Sequence, residues 1–472
     1  MLKRHSFYIL AVIIFLTVGQ CRGASEFQDP GNSDLKEKYD KNNFKILIVP
    51  GHDNESKGGA QFKDIKEADM NLKEAEDLYK YLNEDNHFRV FITRDKNGYK
   101  DEAVKYLSDN YSSILSFRNA SKDKMNNFLE NGIIKKIVGV DHNYASEDDS
   151  VKLYAINKWA DDNGMDLVIH IHFNDYPNRK LNRVGEYSGF SIYIPEKQLP
   201  NYEKSFEIVN SVFSQLKKYF PVSDLPKEDK GIIEDQELIA VGSNLSLSSP
   251  VFLVEYGYIY ESQFINPKIQ PLMFKELAYQ TYQGIKNYFE PIMEEKTAIF
   301  PYTFKNQVEK GLKNNPDAWA LQMALLQEGV YPPSGFTKNE CGLTGNFGKC
   351  TEESVIAFQE KYDIPQTGSV GPITLSKLNN LFNFSHPKTA ENFSYKWEKD
   401  LYYGLTGSED VRALQNALYI EGVYNGPISG NFYELTCGAV IKFQKKYNFN
   451  SVPNTGYVGP FTRRALNEIY SK

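Results

Sequence analysis

Up to about residue 290, short apolar runs alternate with amphipathic stretches along the chain. The run FKILIVP at 44–50 is apolar at nearly every position, the mark of a strand covered on both faces. It stops at Pro50-Gly51. From Glu67, the stretch EADMNLKEAEDLYKYL places Leu72, Ala75, Leu78, Tyr79 and Leu82 on one face of a helix. HFRVFITR, MDLVIHIHFND and PVFLVEYGYI read as three further strands. Strands alternating with helices predict an α/β domain, a mostly parallel sheet flanked by helices. We expect it to span residues 44–290, with an insertion of helices and loops at about 105–150 to which the pattern assigns no role. Residues 24–43 are polar and read as a linker.

Near residue 310 the pattern changes to a repeat. LQMALLQEGVY at 321–331 matches LQNALYIEGVY at 414–424, and TGNFGKCTEESVIAFQEKY at 344–362 matches SGNFYELTCGAVIKFQKKY at 429–447. TGSVGPITLSKLN at 367–379 matches TGYVGPFTRRALN at 455–467. Each copy reads as a small three-helix module, the first over 316–382 and the second over 406–472, with 383–405 as a linker. The first copy carries eight extra residues before its GNF, and Cys341 lies among them.

A length of 472 residues exceeds one ordinary domain, and 41% hydrophobic with 24% charged residues describes a globular chain. The N-terminus pairs basic Lys3, Arg4 and His5 with the apolar FYILAVIIFLTVG, which is short for a membrane span. Residues 1–23 therefore read as a secretory signal peptide, cleaved after Gly23. The alternative is a lipid anchor at Cys21, because LTVGQC faintly resembles a lipobox. No other apolar run reaches spanning length, so no stable membrane span is expected after cleavage. Loss of Lys3, Arg4 and Arg22 moves the net charge from −7 to −10. An acidic, exported chain without a basic block argues against nucleic-acid binding. Its expected place is the periplasm or the cell wall and extracellular space, as a monomer. Export permits a disulfide between Cys341 and Cys350, which flank a short loop, leaving Cys437 over and buried. The 32 Tyr and 30 Phe suit several small cores and a surface that stacks on sugar rings.

No GxSxG elbow occurs, and no cysteine stands where a nucleophile would. The histidines are more telling. In DLVIHIHFND a period of two puts Val168, His170, His172 and Asn174 on one face of a strand. His52 follows another strand's C-terminal end, and ligands bind at that edge of open α/β sheets. Two neutral imidazoles, a carboxylate and one open position make a catalytic zinc site. A second carboxylate is then wanted as general base, and Glu255, ending PVFLVE, is the candidate. On spacing alone, the alternative is that the histidines are satisfied polar residues at strand ends and Glu255 a salt-bridge partner.

IVPGHDNESKGGA, Glu67, HIHFND and VFLVEYGYI, in that order, resemble the zinc-dependent N-acetylmuramoyl-L-alanine amidases that begin Pro-Gly-His and end Val-Glu-x-Gly. The resemblance covers roughly residues 44–290. The two repeats look like three-helix peptidoglycan-binding domains. The resemblance implies Zn2+ held by His52, Glu67 and His172, with Glu255 catalytic and Asn71 a polar residue near the site. His170 and Asn174 would then touch the ligands or the substrate, with the alternative that His170 itself binds the ion as a fourth ligand and closes the site. Three departures stand out. His170 replaces a usual serine, the loop at 53–59 is long and polar, and Lys152 replaces an arginine after an unusually long insertion. The implied partner is peptidoglycan and the implied reaction is cleavage of its muramoyl–L-alanine amide. Two rival readings remain: a non-catalytic wall-binding protein with a degenerate amidase domain, and a zinc peptidase acting elsewhere in the stem peptide.

Overall fold

The computed structural model describes residues 32–53, 59–140, 145–176, 179–290, 302, 304, 306–338, 340–382, 393–424, 428, 430–447 and 455–471. The signal-peptide reading of 1–23, with Cys21, lies outside them. Among the described residues no helix is long and apolar enough to cross a membrane.

Six strands form the main sheet: β1 (Phe44–Pro50), β2 (Phe88–Ile92), β3 (Leu167–Asn174), β4 (Ser191–Pro195), β5 (Ile232–Asp235) and β6 (Val251–Tyr258). Their order is β2-β1-β3-β6-β4-β5, and only the β6–β4 pairing is antiparallel. The helices of this part are α1 (Asn32–Asp40), α2 (Glu67–Glu84), α3 (Asp101–Asp109), α4 (Tyr111–Glu130), α5 (Glu147–Asp162), α6 (Tyr202–Tyr219), α7 (Ser262–Ile265) and α8 (Gln270–Phe289). Strand alternation sorts the core into two layers. Ile46, Ile48, Ile169, Ile171, Phe252 and Val254 pack with Leu78, Leu82, Val212 and Leu277 from α2, α6 and α8. Leu47, Val49, Val168, Val251 and Leu253 face Ile156, Trp159 and Ala160 of α5. This is the mostly parallel, helix-flanked sheet that the sequence predicts. β4 and β5 were hidden by their brevity. The insertion forms α3 and α4, with Ile114 packed on α5.

The linker reading of 24–43 fails for its second half. α1 is docked: Leu35 and Tyr39 are buried, and the Tyr39 ring is sandwiched between His87 and Phe289, each centroid 4.3 Å away. Polar residues dominate this segment, so two well-spaced apolar anchors escape a composition argument.

The repeats fold as α9 (Pro316–Gln327), α10 (Lys349–Lys361) and α11 (Pro372–Phe382), then α12 (Glu409–Ile420), α13 (Glu434–Lys446) and α14 (Pro460–Tyr470). The duplicated LQ and FQ motifs have a physical cause. Gln322 donates to Asn346 O and Thr351 Oγ1, 3.0 Å each, and accepts from Gly345 N at 3.0 Å. Gln415 repeats this with Asn431 O, Thr436 Oγ1 and Gly430 N, all at 2.9 Å. Gln359 and Gln444 do the same for the next turn, through Thr374 and Gly368 in one copy and Thr462 and Gly456 in the other. A buried amide thus satisfies turn backbone that burial would otherwise leave costly.

Each module also begins earlier than its helices. Val308 bridges Val370, and Leu401 bridges Val458. Trp397 and Leu401 are buried in the second core, so the linker reading of 383–405 fails from 393 onward. The first module does not stand apart either, since its core is continuous with that of the α/β domain. Its extra residues make the joint: Lys338 Nζ donates to Lys217 O and Lys218 O at the C-terminus of α6, 2.7 Å each. Tyr219 donates to Gln327 Oε1 at 2.6 Å. Burial pushes the Lys338 ammonium down to about 8. Cys341 and Cys350 are bonded across this segment, and the free Cys437 is half-buried rather than buried. The bond closes a loop with a sequence separation of 9. Replacing both cysteines by serine should cost about 2–3 kcal/mol of stability, the worth of a short-loop crosslink. Urea unfolding of the oxidised protein and the variant measures it, and equal midpoints would refute it.

Candidate metal centre

The site lies at the C-terminal edge of β1, β3 and β6. Gly51 N continues the ladder to Ile171 O at 2.9 Å, which holds the next residue, His52, beside β3. His52 adopts φ +56°, a left-handed conformation uncommon for a residue with a side chain. Arg94, buried at the end of β2, bonds Pro50 O, Gly51 O and Ala68 O at 3.2, 3.0 and 2.8 Å. One guanidinium therefore ties the loop after β1 to the first turn of α2. Glu67 is the first residue of α2, and its N–H bonds Ala60 O at 2.9 Å. In β3 and β6, parallel register sets His172 beside Glu255.

His172 Nδ1 lies 3.0 Å and His52 Nε2 3.3 Å from Glu67 Oε1, and the imidazole centroids are 5.1 Å apart, edge to face. One ligand atom from each of the three residues lies within 4.8 Å of the others. Asn71, one turn on from Glu67, donates to Glu67 Oε1 at 3.3 Å and Gly51 O at 2.9 Å, and Ala60 N donates to Glu67 Oε2 at 2.6 Å. Burial opposes the Glu67 charge, but the bonds to His172 and His52 prevail and hold its carboxyl well below the usual range. Burial lowers the His172 imidazole despite Glu67, whereas at His52 the contact with Glu67 outweighs burial and raises it.

These donors fit a metal ion. Two imidazole nitrogens and a carboxylate oxygen form the three-ligand set of a catalytic centre, and they leave a tetrahedral position open. Two glycines clear the space. A Cβ on Gly51 would stand 2.1 Å from the His172 ring, and one on Gly59 3.0 Å from the His52 ring and 3.2 Å from Glu67 Oε2. Asn71 and the loop N–H orient the carboxylate from behind, as supports of metal ligands do.

The other residues singled out in the sequence fall around this group. Glu255 is half-buried, with Oε2 lacking a hydrogen-bond partner among the described residues, and burial followed by the charges of Glu67 and Glu228 pushes its carboxyl well up. His170 is outside the three-residue group. It is fully buried between Val49 and Leu253 in the sheet, and burial pushes its imidazole down to about 3, so it sits beneath the site as a neutral ring. Asn174 donates to Glu228 Oε1 and Oε2 at 3.1 and 3.2 Å. Lys152 pairs with Asp53, next to His52, at 3.0 Å.

Two residues escaped the sequence reading. Arg94 ends a strand, where an arginine is ordinarily a surface charge. Glu228 sits in PKEDKG, which reads as a solvated loop. In the fold it is buried and accepts bonds from Tyr193 and Ser223 at 2.6 and 2.7 Å.

A family model described as N-acetylmuramoyl-L-alanine amidase matches residues 46–287, and one described as putative peptidoglycan binding domain matches 314–378 and 407–466. Among solved structures, an N-acetylmuramoyl-L-alanine amidase from Clostridium difficile 630 is 19% identical, with 52% of this chain and 97% of that one covered at a TM-score of 0.33. The catalytic domain of CwlV, an amidase of the same name from Bacillus (Paenibacillus) polymyxa var. colistinus, is 14% identical, covering 52% and 98% at 0.33. Ami1 from Mycobacterium smegmatis is 14% identical, covering 52% and 97% at 0.33. No curated protein matches the chain. The amidase match takes in more than half of the 472 residues and contains His52, Glu67, His172 and Glu255, so the chain belongs to the N-acetylmuramoyl-L-alanine amidase family.

Proposed function

We propose that this chain hydrolyses the amide between the lactyl group of N-acetylmuramic acid and L-alanine of the peptidoglycan stem, with zinc as its metal. The observation that carries the reading is the convergence of His52, Glu67 and His172 beside Glu255 at one sheet edge. The three ligands would hold the ion. Zinc, when bound, supplies Lewis acidity that polarises an amide carbonyl and lowers the pKa of a water from 15.7 toward about 7. Glu255 lies outside the ligand set. It takes the proton from the attacking water and returns it to the leaving L-alanine nitrogen, which breaks the C–N bond and frees a carboxylic acid and an amine, ionised in solution as carboxylate and ammonium. Glu67, held ionised, offers its oxygen to the ion and orients His172 through Nδ1. Asn71 fixes the Glu67 carboxylate, and the Glu228 network fixes the β3 end at Asn174.

The α/β part would cut and the repeats would hold it on the wall, raising its effective concentration there. Export across the cytoplasmic membrane goes with this reading. The test is digestion of purified peptidoglycan with mass analysis of the products. Free stem peptides beginning with L-alanine are expected; cleavage between two stem residues would instead make it a peptidase. His52→Ala and His172→Ala should each lose the metal, since each removes one of three protein ligands. Metal content after dialysis, beside circular dichroism, reads this out, and full retention by either variant would refute the ligand assignment.

A further inference from the structure

The two repeats are twins in fold but not in surface. Of the exposed rings on the second, five belong to its turns and the start of its last helix: Tyr402, Tyr403, Tyr433, Tyr457 and Phe461, between 41% and 64% exposed, apart from Tyr419 and Tyr447 on and after its other helices. They are gathered where the segment before α12, the turn before α13 and the start of α14 meet. The Leu401–Val458 bridge sets Tyr402 beside Tyr457, and Tyr403 stacks edge-on against Tyr433 with centroids 5.7 Å apart. Tyr457 lies over Gly459, where an added Cβ would come within 2.6 Å of the ring, and its hydroxyl donates to Asp400. Arg463 Nε holds Asp400 from the other side at 2.8 Å.

The first repeat serves as a built-in control. The bridge Val308–Val370 and the bond from Gly311 N to Phe347 O correspond to Leu401–Val458 and Gly404 N to Phe432 O. The positions of the five rings are therefore held by Glu309, Lys310, Gly348, Ser369 and Ile373. The same fold forms there without one aromatic ring, and Lys310 pairs with Glu352 at 2.7 Å instead. The shared fold therefore does not require rings at these positions, although Tyr457 also holds Asp400 in the second copy. The first copy also has another task, since its extra segment and Gln327 are bound to α6.

Resting on the wall-binding reading above, we propose that the two copies have divided their work. The second module alone grips the sugar rings of the glycan strand, through the Tyr402–Tyr403–Tyr433–Tyr457–Phe461 surface, and the first is a docked spacer. Pyranose rings present flat C–H faces that pack on aromatic rings, and their hydroxyl and acetamido groups need a polar rim. Asp400 and Arg463 supply that rim. Tyr457, held by Asp400 and Gly459, and Tyr403 and Tyr433, packed on each other, lose little freedom on binding.

The test uses the full chain with Tyr402→Ser/Phe461→Ser, and Glu309→Ser/Ile373→Ser as its twin. Tyr457 is left alone because it holds Asp400. Co-sedimentation with purified peptidoglycan and calorimetry with a β-1,4-linked N-acetylglucosamine hexamer are the readouts. The first variant should weaken both by roughly tenfold or more. The twin should bind as the unaltered chain does. Tyr402→Phe/Phe461→Tyr keeps the rings and should keep binding, which separates the surface from a folding defect. Turnover on a soluble muropeptide should be unchanged throughout, and its absence in the unaltered chain would count against the amidase reading alone. Equal losses in the twin, undiminished binding in the first variant, or competition by stem peptide but not by sugar would each overturn the assignment. So would a change confined to sedimentation-velocity mass, which would make the surface a contact between two copies of the chain. If the unaltered chain did not sediment with peptidoglycan, the wall-binding reading would fall and this assignment with it.

Discussion

Glu255→Gln is expected to keep its metal and lose turnover by about 10²–10⁴-fold, the usual worth of a positioned general base. Glutamine has nearly the same shape and cannot take up the proton. Glu255 lies beside His172 in register but outside the three-residue ligand group, so the ion's donors are untouched. The change should not unfold the domain. Burial and the charges of Glu67 and Glu228 already disfavour the ionised carboxyl, and a neutral amide removes that repulsion. The variant should therefore be as stable as the original or slightly more so. Glu67→Gln makes the contrast. That carboxylate is held ionised by His172 and His52, and its loss should weaken metal retention first and turnover as a consequence. Metal content and turnover on a muramoyl-peptide, measured on both variants, separate the two glutamates. Near-full turnover in Glu255→Gln, or loss of its metal, would reverse the roles assigned to them.

The strands that carry the site were legible because they are central. β1, β3 and β6 are covered on both faces and read as apolar runs, and the chemistry sits where those runs end. Period-two alternation placed His170 and His172 on the same face correctly. It could not tell that one level of the strand is open to the site while the level below is sealed by Val49 and Leu253, because depth along a strand has no signature in alternation. Glu67 and Asn71 belong to the same stripe of α2 as Leu78 and Leu82, so a polar residue on an apolar face was itself a signal. Arg94 and Glu228 gave none. Arg94's partners are backbone carbonyls and Glu228's are hydroxyls and the Asn174 amide, most of them far away in sequence, and local composition treats both as surface. The same holds for α1 and for Trp397: isolated anchors in polar segments are decided by tertiary packing. The three helices of each repeat were legible, since identical buried glutamines must satisfy identical turns, but the segments that precede them and the docking of the first copy were not.

Gly51→Ala should empty the metal site without altering any ligand. The added methyl would stand 2.1 Å from His172 Cε1 and 2.2 Å from Nε2, far inside contact distance. The clashing atoms belong to a ring fixed by Glu67 on its Nδ1 side, and the backbone of Gly51 is fixed by Ile171 O and Arg94. Since neither side yields without breaking a bond, the ring must turn away from Glu67. Metal affinity should fall by about 100-fold or more, beyond the effect of losing a supporting hydrogen bond. Turnover should fall with it. Overpacking should also cost about 1–3 kcal/mol of stability. The stability term allows a sharper test. In a His172→Ala background the three atoms nearest the methyl are gone, so its cost should fall sharply. Urea unfolding of the two single variants and the double variant measures that coupling. Metal retention and turnover in Gly51→Ala equal to the original would show that the ring has room to move, and the close approach of loop and imidazole would no longer explain the glycine. Equal costs in both backgrounds would place the strain somewhere other than His172.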